Sequence, residues 1–574
     1  MKIQNLLLVL VPIIAFFIVL QPLVHPGFFT IHDDEQIGRL YDLDKTVKAG
    51  HIPPRLAQDL GFGYDYPLFN FYPSFVYYIG ELFHLVGFSY IDSTKAVIAL
   101  GFTLSFLSMY LFSKEYIGKS GGVIAALLYT LAPYHSVDIY VRGALPEFFS
   151  FVFIPVLFLI YKKLADTKKI QFALVGSILI TLLILTHNLV AMMTVLFVGP
   201  YILFLLFGSK QKKLFIFQVL TSVIIGILAS SYFWLPSFLE RKYTMVDLLT
   251  KELADYNIHF VCLKQFWNSP WGYGGSLLGC EDGLSFQIGK VHIIGSLIAF
   301  FLGIISFRKN KKIGTIVFVF FALFVFSLFI QLRLSRPLWD RVQTFWYIQF
   351  PWRFLIFSAF TSSFLTGAIF VWIKQKSIHM VLLVSLVLVS VVLYKDYFRP
   401  QTYLLSATDT SYTDPSVIGW RTSIMAFEYV PKGIKTKRSD VGTTIIDITK
   451  DQVAKGVFSI EKGTMDVTVL VDIPQEKRVV IRAKEDGVFR FNIFSFPGWE
   501  VTIDGKKTNY YDTNPLKLIT IPVPKGTHTV VATLRDTPER TLGNSFSVIG
   551  IALLFGLSFF ILVPKAKKRF LLHS

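Results

Sequence analysis

Apolar runs close to the roughly 20 residues that cross a bilayer recur along nearly all of this chain, and a chain so built folds as a bundle of spanning helices. The candidate spans are residues 5–24, 94–112, 119–135, 148–161, 170–186, 189–207, 214–235, 290–306, 313–331, 353–373, 378–394 and 544–563. Hydrophobic residues make up 53% of the 574 and charged residues 16%, far from the soluble average, so the chain reads as a polytopic membrane protein. The formal charge of +18 does not point to nucleic acid, because Lys and Arg gather in short turns at 114–119, 162–169, 210–213, 308–312, 374–376 and 565–569. These turns fall in alternate loops. By the positive-inside bias that face is cytoplasmic and carries both termini. The run 6–24 lacks a small-residue cleavage site and reads as a retained helix. Past its first two residues no span carries Asp, Glu, Lys or Arg, which weighs against an ion-coupled pump or transporter.

The outer loops are then 25–93, 136–147, a short turn at His187-Asn188, 236–289, 332–352 and 395–543. Residues 73–89 are apolar enough for another span. Glu81 and His84 near the middle, after a run of Pro and Tyr, suit a helix lying in the interface plane instead. Near the head of the first loop stands His32-Asp33-Asp34-Glu35-Gln36, three neighbouring acids within about ten residues of a span. Asp33 and Asp34 are the candidate catalytic residues: a carboxylate there can take a proton from an attacking sugar hydroxyl. The first turn of a helix, which also favours acids, is the equally open alternative. The same loop carries a Gly-, Pro- and aromatic-rich run from Gly61 to Pro73, with Tyr66 and Asn70, of the kind that builds ordered turns and ring-lined clefts.

Asp138, Arg142 and Glu147 crowd the second outer loop. Either they pair with one another or they form a phosphate or metal site. In Gln349-Phe350-Pro351-Trp352-Arg353-Phe354, a guanidinium at the outer end of a span either grips a lipid-linked phosphate or snorkels as an anchor. His187 and Asn188 are either a satisfied turn or part of a site. Trp267, Trp271 and Tyr273 in loop 236–289 either cover a sugar by stacking or pack on one another. That loop also holds the chain's two cysteines, Cys262 and Cys280. On the oxidising side a bridge is favoured, restraining the loop by about 3 kcal/mol. In 395–543 the period changes: Met465, Val467, Val469 and Val471 alternate, as do Phe489, Phe491 and Ile493, with hairpin turns expected at Asp504-Gly505 and Pro524-Lys525-Gly526. A β-rich, sandwich-like extracytoplasmic domain is expected there. Lys506, Lys507, Asp512 and Asn514 either contact sugars or are solvated turns.

Together the His-Asp-Asp-Glu-Gln loop, the run Gly61-Phe62-Gly63-Tyr64-Asp65-Tyr66-Pro67-Leu68-Phe69-Asn70-Phe71-Tyr72-Pro73, Thr186-His187-Asn188 and Gln349 to Phe354 resemble the bacterial membrane proteins labelled 6-pyruvoyl-tetrahydropterin-synthase-related, which are similar to the glycosyltransferase C superfamily. The label itself misleads. Pterin synthases are small soluble zinc enzymes, and no histidines stand here at metal-ligand spacing. Phe496-Pro497-Gly498-Trp499-Glu500-Val501 with Asp504-Gly505-Lys506 resembles the outer domain of YfhO-like membrane proteins. The resemblance implies a fold of spanning helices with an active site on the non-cytoplasmic face, a first-loop acid (Asp33 or Asp34) as base, a second-loop acid (Asp138 or Glu147), and a polyprenyl-phosphate sugar as donor. Superfamily members differ in whether they use a divalent metal, and the sequence leaves that cofactor undecided.

The expected organisation is an all-α transmembrane domain at 1–394, a β-rich outer domain at 395–543, and a final span with a basic tail at 544–574. The expected function is inverting glycosyl transfer from a polyprenyl-phosphate donor to a glycan, lipid or protein acceptor at the cell membrane. Asp33 or Asp34 acts as base, and Glu35, Arg142, Asp138, Glu147, His187, Asn188, Gln349, Arg353, Tyr66 and Asn70 bind substrate. The alternatives are a flippase or transporter of lipid-linked sugars, which would use charged or broken helices at mid-membrane, and a non-catalytic scaffold displaying the β domain to the cell wall.

Overall fold

The computed structural model describes residues 3–249, 254–438 and 444–570 of the chain. Eight helices are long and apolar enough to cross a membrane: Tyr90–Thr130, Leu145–Thr167, Asn188–Gly208, Lys212–Ala229, Lys311–Phe329, Pro351–Val371, Lys376–Tyr397 and Pro538–Phe559. Leu10–Val24, Ile170–Thr186 and Lys290–Ser306 are shorter apolar helices. Two of the expected runs, 94–112 and 119–135, share the element Tyr90–Thr130. Within it Gly118 sits at φ 75°, ψ −179°, and a Cβ added to Gly122 would meet the Lys114 backbone nitrogen at 3.1 Å. Residues eight apart in a straight helix are about 12 Å apart, so the chain doubles back at this basic turn.

Inside the bundle several hydroxyl side chains satisfy themselves locally. Ser177, Thr194, Ser296 and Thr366 each donate to the carbonyl four residues earlier, which keeps hydroxyls compatible with an apolar helix. Pro351–Val371 runs through the middle of the bundle, 94% buried. Its Gly367 lies against Gly121 so closely that a Cβ on Gly121 would meet the Gly367 carbonyl oxygen at 2.6 Å; small residues let these two backbones approach. The helix Phe75–Leu85, only 11 residues long, spans about 16 Å and is too short to cross by itself.

The β-rich part consists of two antiparallel sheets. One has the order Lys506–Thr508, Trp499–Ile503, Gly526–Leu534, Glu476–Ala483, Met465–Ile473, and the other Leu518–Val523, Gly487–Phe494, Phe458–Lys462. Val479, Ile481, Phe489, Phe491, Ile521 and Val530 are fully buried between them, as period-2 alternation requires. Asp504-Gly505 closes a hairpin. Pro524-Lys525 does not: the strands on either side of it belong to different sheets, so the turn carries the chain across the core. Alternation fixes which residues face inward, not which sheet receives the next strand.

The loop 25–93 and the stretch before the sheets interlock. Phe28–Phe29 pairs with Tyr403–Leu404. The run from Gly61 to Pro73 forms the seat of the β-rich part: Phe494 and Ala454 donate backbone bonds to Tyr64 and Phe62, and Leu56 and Phe71 join the sandwich core. Asp65 meets Lys477 at 3.0 Å with both side chains buried.

Candidate active site

A cavity of about 1070 Å³ opens at one end of the helix bundle. Three spans begin at it: Leu145–Thr167 with Glu147, Asn188–Gly208 with Asn188, and Pro351–Val371 with Arg353. Each of these runs away to end beside a basic turn, at 162–169, 210–213 and 374–376, so the cavity lies at the end of the bundle remote from those turns.

The loops 25–93 and 136–147 meet here through main-chain bonds. The His32 and Asp33 amides donate to the carbonyls of Val141 and Arg142 at 3.0 and 2.8 Å. Gly143 makes this approach possible: it sits at φ +73°, and a Cβ there would fall 2.5 Å from Ile31 Cδ1. Asp33 is thereby set on the cavity wall, and among the described residues its carboxylate has no hydrogen-bond or ion-pair partner.

Beside it lies a buried charge network. Glu147 Oε2 accepts from Arg142 Nη1 at 2.9 Å and from Arg353 Nε at 3.0 Å, while its other oxygen accepts from the Tyr134 hydroxyl at 2.5 Å. Arg142 Nη1 also pairs with Asp138, and the Arg142 guanidinium lies over the Trp352 ring. Arg353 Nη1 donates to the Ile348 carbonyl and to Gln349 Oε1. Gln349 itself holds φ 67°, ψ −53°, with the Phe350 amide bonded to the Ile348 carbonyl at 2.7 Å; this is a strained γ-turn, kept by the packing around it. Burial, reinforced by Glu147, pushes the Asp138 carboxyl well above the usual carboxylate range. Two guanidiniums, Arg142 and Arg353, thus converge on Glu147 beside Asp33, with Asp138 pairing to Arg142 as well.

His187 ends one helix and caps the next, its Nδ1 accepting from the Val190 amide at 3.2 Å. Burial pushes the imidazole down to about 3, so the ring is neutral and its proton sits on Nε2, a donor without charge in the cavity wall.

Of the expected site residues, Asp33, Glu35, Arg142, Glu147, His187, Asn188, Gln349 and Arg353 line this cavity. The others are placed elsewhere. Asp34 turns from the wall to meet Arg421 at 3.4 Å. Asp138 is fully buried behind Arg142. The Tyr66 hydroxyl accepts from the Tyr429 amide, and Asn70 bridges Arg55 and Glu240; both serve the seat of the β-rich part. The stacking expected of loop 236–289 goes to protein: Trp271 lies on Tyr397 with centroids 4.7 Å apart, and the Tyr273 carbonyl receives His32. The cavity takes His259, Gly275 and Ser276 from that loop instead, a loop closed by a Cys262–Cys280 disulfide. Lys507 pairs with Glu500, and Asn514 braces its own turn. Residues the sequence reading passed over are Arg39 and Tyr72 from the first loop, Arg241, and Glu428 with Tyr429 from the stretch before the sheets. An isolated acid between aromatics, Phe427-Glu428-Tyr429, in a stretch without strand alternation was the available signal. Among the described residues no group of three or more His, Cys, Asp or Glu is arranged to hold a metal.

The model of a family described as 6-pyruvoyl-tetrahydropterin synthase related domain, membrane protein, matches residues 69–400. No curated protein matches the chain. Among solved structures, the apo oligosaccharyltransferase of Archaeoglobus fulgidus aligns at 13% identity and a TM-score of 0.40, over 71% of this chain and 55% of that one. The archaeal oligosaccharyltransferase AglB from Archaeoglobus fulgidus, in complex with an inhibitory peptide and a dolichol-phosphate, aligns at 13% identity and 0.39, over 72% and 56%. This chain thus spans little more than half the length of those proteins.

Proposed function

The chain belongs to the 6-pyruvoyl-tetrahydropterin-synthase-related family of membrane proteins, and on that footing we propose that it is an inverting membrane glycosyltransferase using a polyprenyl-phosphate sugar at the extracytoplasmic end of its bundle. One observation carries the reading: the cavity holds an unpaired carboxylate, Asp33, next to two buried guanidiniums, Arg142 and Arg353, that Glu147 holds together. The acceptor hydroxyl gives its proton to Asp33 as its oxygen bonds to the anomeric carbon. The bond from that carbon to the phosphate oxygen breaks on the opposite face, and the electron pair leaves with the polyprenyl phosphate. Arg142 and Arg353 stabilise the charge gathering there. Their bonds to protein use Nη1 of Arg142 and Nε and Nη1 of Arg353, which leaves Nη2 of each for the phosphate. Because Glu147 already holds both, the guanidiniums are fixed before substrate arrives and need no reorganisation in the transition state. The neutral His187 Nε2–H donates to the sugar or the phosphate without adding charge.

The test is transfer of label from a polyprenyl-phosphate hexose by the full-length protein in lipid nanodiscs. Asp33→Asn should lower the rate by about 10² to 10⁴, the range for losing a general base, while Asp34→Asn stays within a few-fold of the parent. A parent that transfers nothing, or an Asp33→Asn variant as active as the parent, overturns the reading.

A further inference from the structure

The cavity wall carries a second group of charged side chains, from parts of the chain that the phosphate side does not use. Glu35 and Arg39, one helical turn apart, pair at 2.8 Å, and the Arg39 guanidinium lies 4.0 Å from the centre of the Tyr72 ring. Arg39 is 3% exposed, yet its Nε–H has no acceptor among the described residues. The segment Met425 to Tyr429 also enters the cavity wall. It is stitched on both sides: the Tyr429 amide donates to the Tyr66 hydroxyl at 2.9 Å, the Met245 amide to the Val430 carbonyl at 3.2 Å and the Lys432 amide to the Tyr243 carbonyl at 2.8 Å. Tyr429 also stacks on Phe71 with centroids 5.1 Å apart. These fixings hold Glu428 in the wall, near enough to Arg39 and Asp33 for their charges to act on it. Apart from its own backbone amide, its carboxylate has no hydrogen-bond or ion-pair partner among the described residues.

An ionisable side chain fixed by a rigid segment and left without a partner in a protein wall is costly unless a ligand supplies the partner. Asp33 and Glu428 can only accept when ionised, and Arg39 can only donate. A ligand matching both must therefore donate and accept from closely spaced atoms. Neighbouring hydroxyls on a sugar ring do both. A cationic side chain would suit the carboxylates but repel Arg39. Room for a second ligand exists as well, since about 1070 Å³ lies at the top of the usual range for one small-molecule pocket.

Resting on the transferase reading above, we propose that Glu428, with Arg39 and Asp33, forms the acceptor subsite, and that the acceptor is a glycan held through vicinal hydroxyls. Asp33 then reaches the hydroxyl that attacks, while Glu428 positions the acceptor ring and takes no part in proton transfer.

The experiment is binding, so that it does not depend on turnover. Saturation-transfer NMR on the full-length protein in nanodiscs would use chitotriose and maltotriose as neutral glycan probes and acetyl-Gly-Ser-Gly-amide as a hydroxyl-bearing peptide. At least one glycan should bind, Glu428→Gln should weaken it about tenfold or more, the scale of one lost charged hydrogen bond, and Asp34→Asn should leave it unchanged. The peptide should give no signal. Absence of glycan binding, glycan binding indifferent to Glu428→Gln at unchanged thermal stability, or preference for the peptide each overturns the subsite. A protein that binds glycan through Glu428 but transfers no sugar would sink the transferase reading alone.

Discussion

At the scale of single residues, the site depends on a glycine that touches no substrate. Gly143 at φ +73° lets Ile31 lie where a Cβ would be 2.5 Å from its Cδ1 and 2.9 Å from its own Cβ. Gly143→Ala should therefore push Ile31 back, break the His32 and Asp33 amide bonds to the second loop, and misplace Asp33 while leaving its chemistry intact. The expected result is a fall of about 10² in transfer rate, the cost of a shift near 1 Å. Ile31→Ala added to Gly143→Ala should recover part of the loss. Equal activity of parent and Gly143→Ala would mean that the two loops are not what positions Asp33. The sequence alone leaves Asp33 and Asp34 even, because adjacent acids look alike until the backbone direction is known. The bonds to Val141 and Arg142 orient that backbone, setting Asp33 in the cavity wall and Asp34 toward Arg421. The clustered charges at 138–147 and Arg353 were legible for a simple reason: charge beside a span must be paired or used. Glu428 was not, since nothing local tells that a residue so far along the chain returns to the first loop.

Among the elements, Phe75–Leu85 turns Val76, Tyr77, Gly80 and Glu81 inward and leaves Leu82, Leu85 and Val86 at 60% exposure or more. An apolar outward face on a helix too short to cross suits one lying along the membrane surface. Its inner face holds a less expected feature. Both oxygens of Glu81 are buried without a donor, beside Asp44, whose carboxylate takes Lys48 and the Tyr90 hydroxyl. Two carboxyls so placed satisfy each other only if one keeps its proton, and burial together with Asp44 pushes Glu81 up to about 7. The unfolded chain releases that proton near 4.5. Between about 4.5 and 7 the folded state holds the extra proton, so stability is full below that window and falls as pH rises through it. Thermal unfolding in detergent from pH 5 to 8.5 should show a falling melting temperature, and Glu81→Gln should flatten the slope. An unchanged slope in Glu81→Gln would place the titration elsewhere.

For the whole molecule, the helical bundle and the β-rich part were both readable because each follows from a period, roughly 20-residue apolar runs in one case and alternation in the other. How the parts join was not. Residues 403–434 look like the start of an outer domain, yet they pair with Phe28–Phe29, close the cavity with Glu428 and lean on Tyr66. Such contacts between distant stretches leave no periodic trace. The same arrangement makes orientation testable. Thr410 is exposed on the stretch joined to the cavity side, and Lys309 is exposed in a basic turn between Lys290–Ser306 and Lys311–Phe329. Both native cysteines are in the disulfide, so a single introduced thiol has no background among the described residues. If the basic turns face the cytoplasm, Thr410→Cys reacts with a membrane-impermeant maleimide on intact cells, and Lys309→Cys reacts only after permeabilisation. The reverse pattern would put the cavity on the cytoplasmic side. Donors and acceptors available only outside could not then reach Asp33, and the charge bias would have been set by something other than insertion.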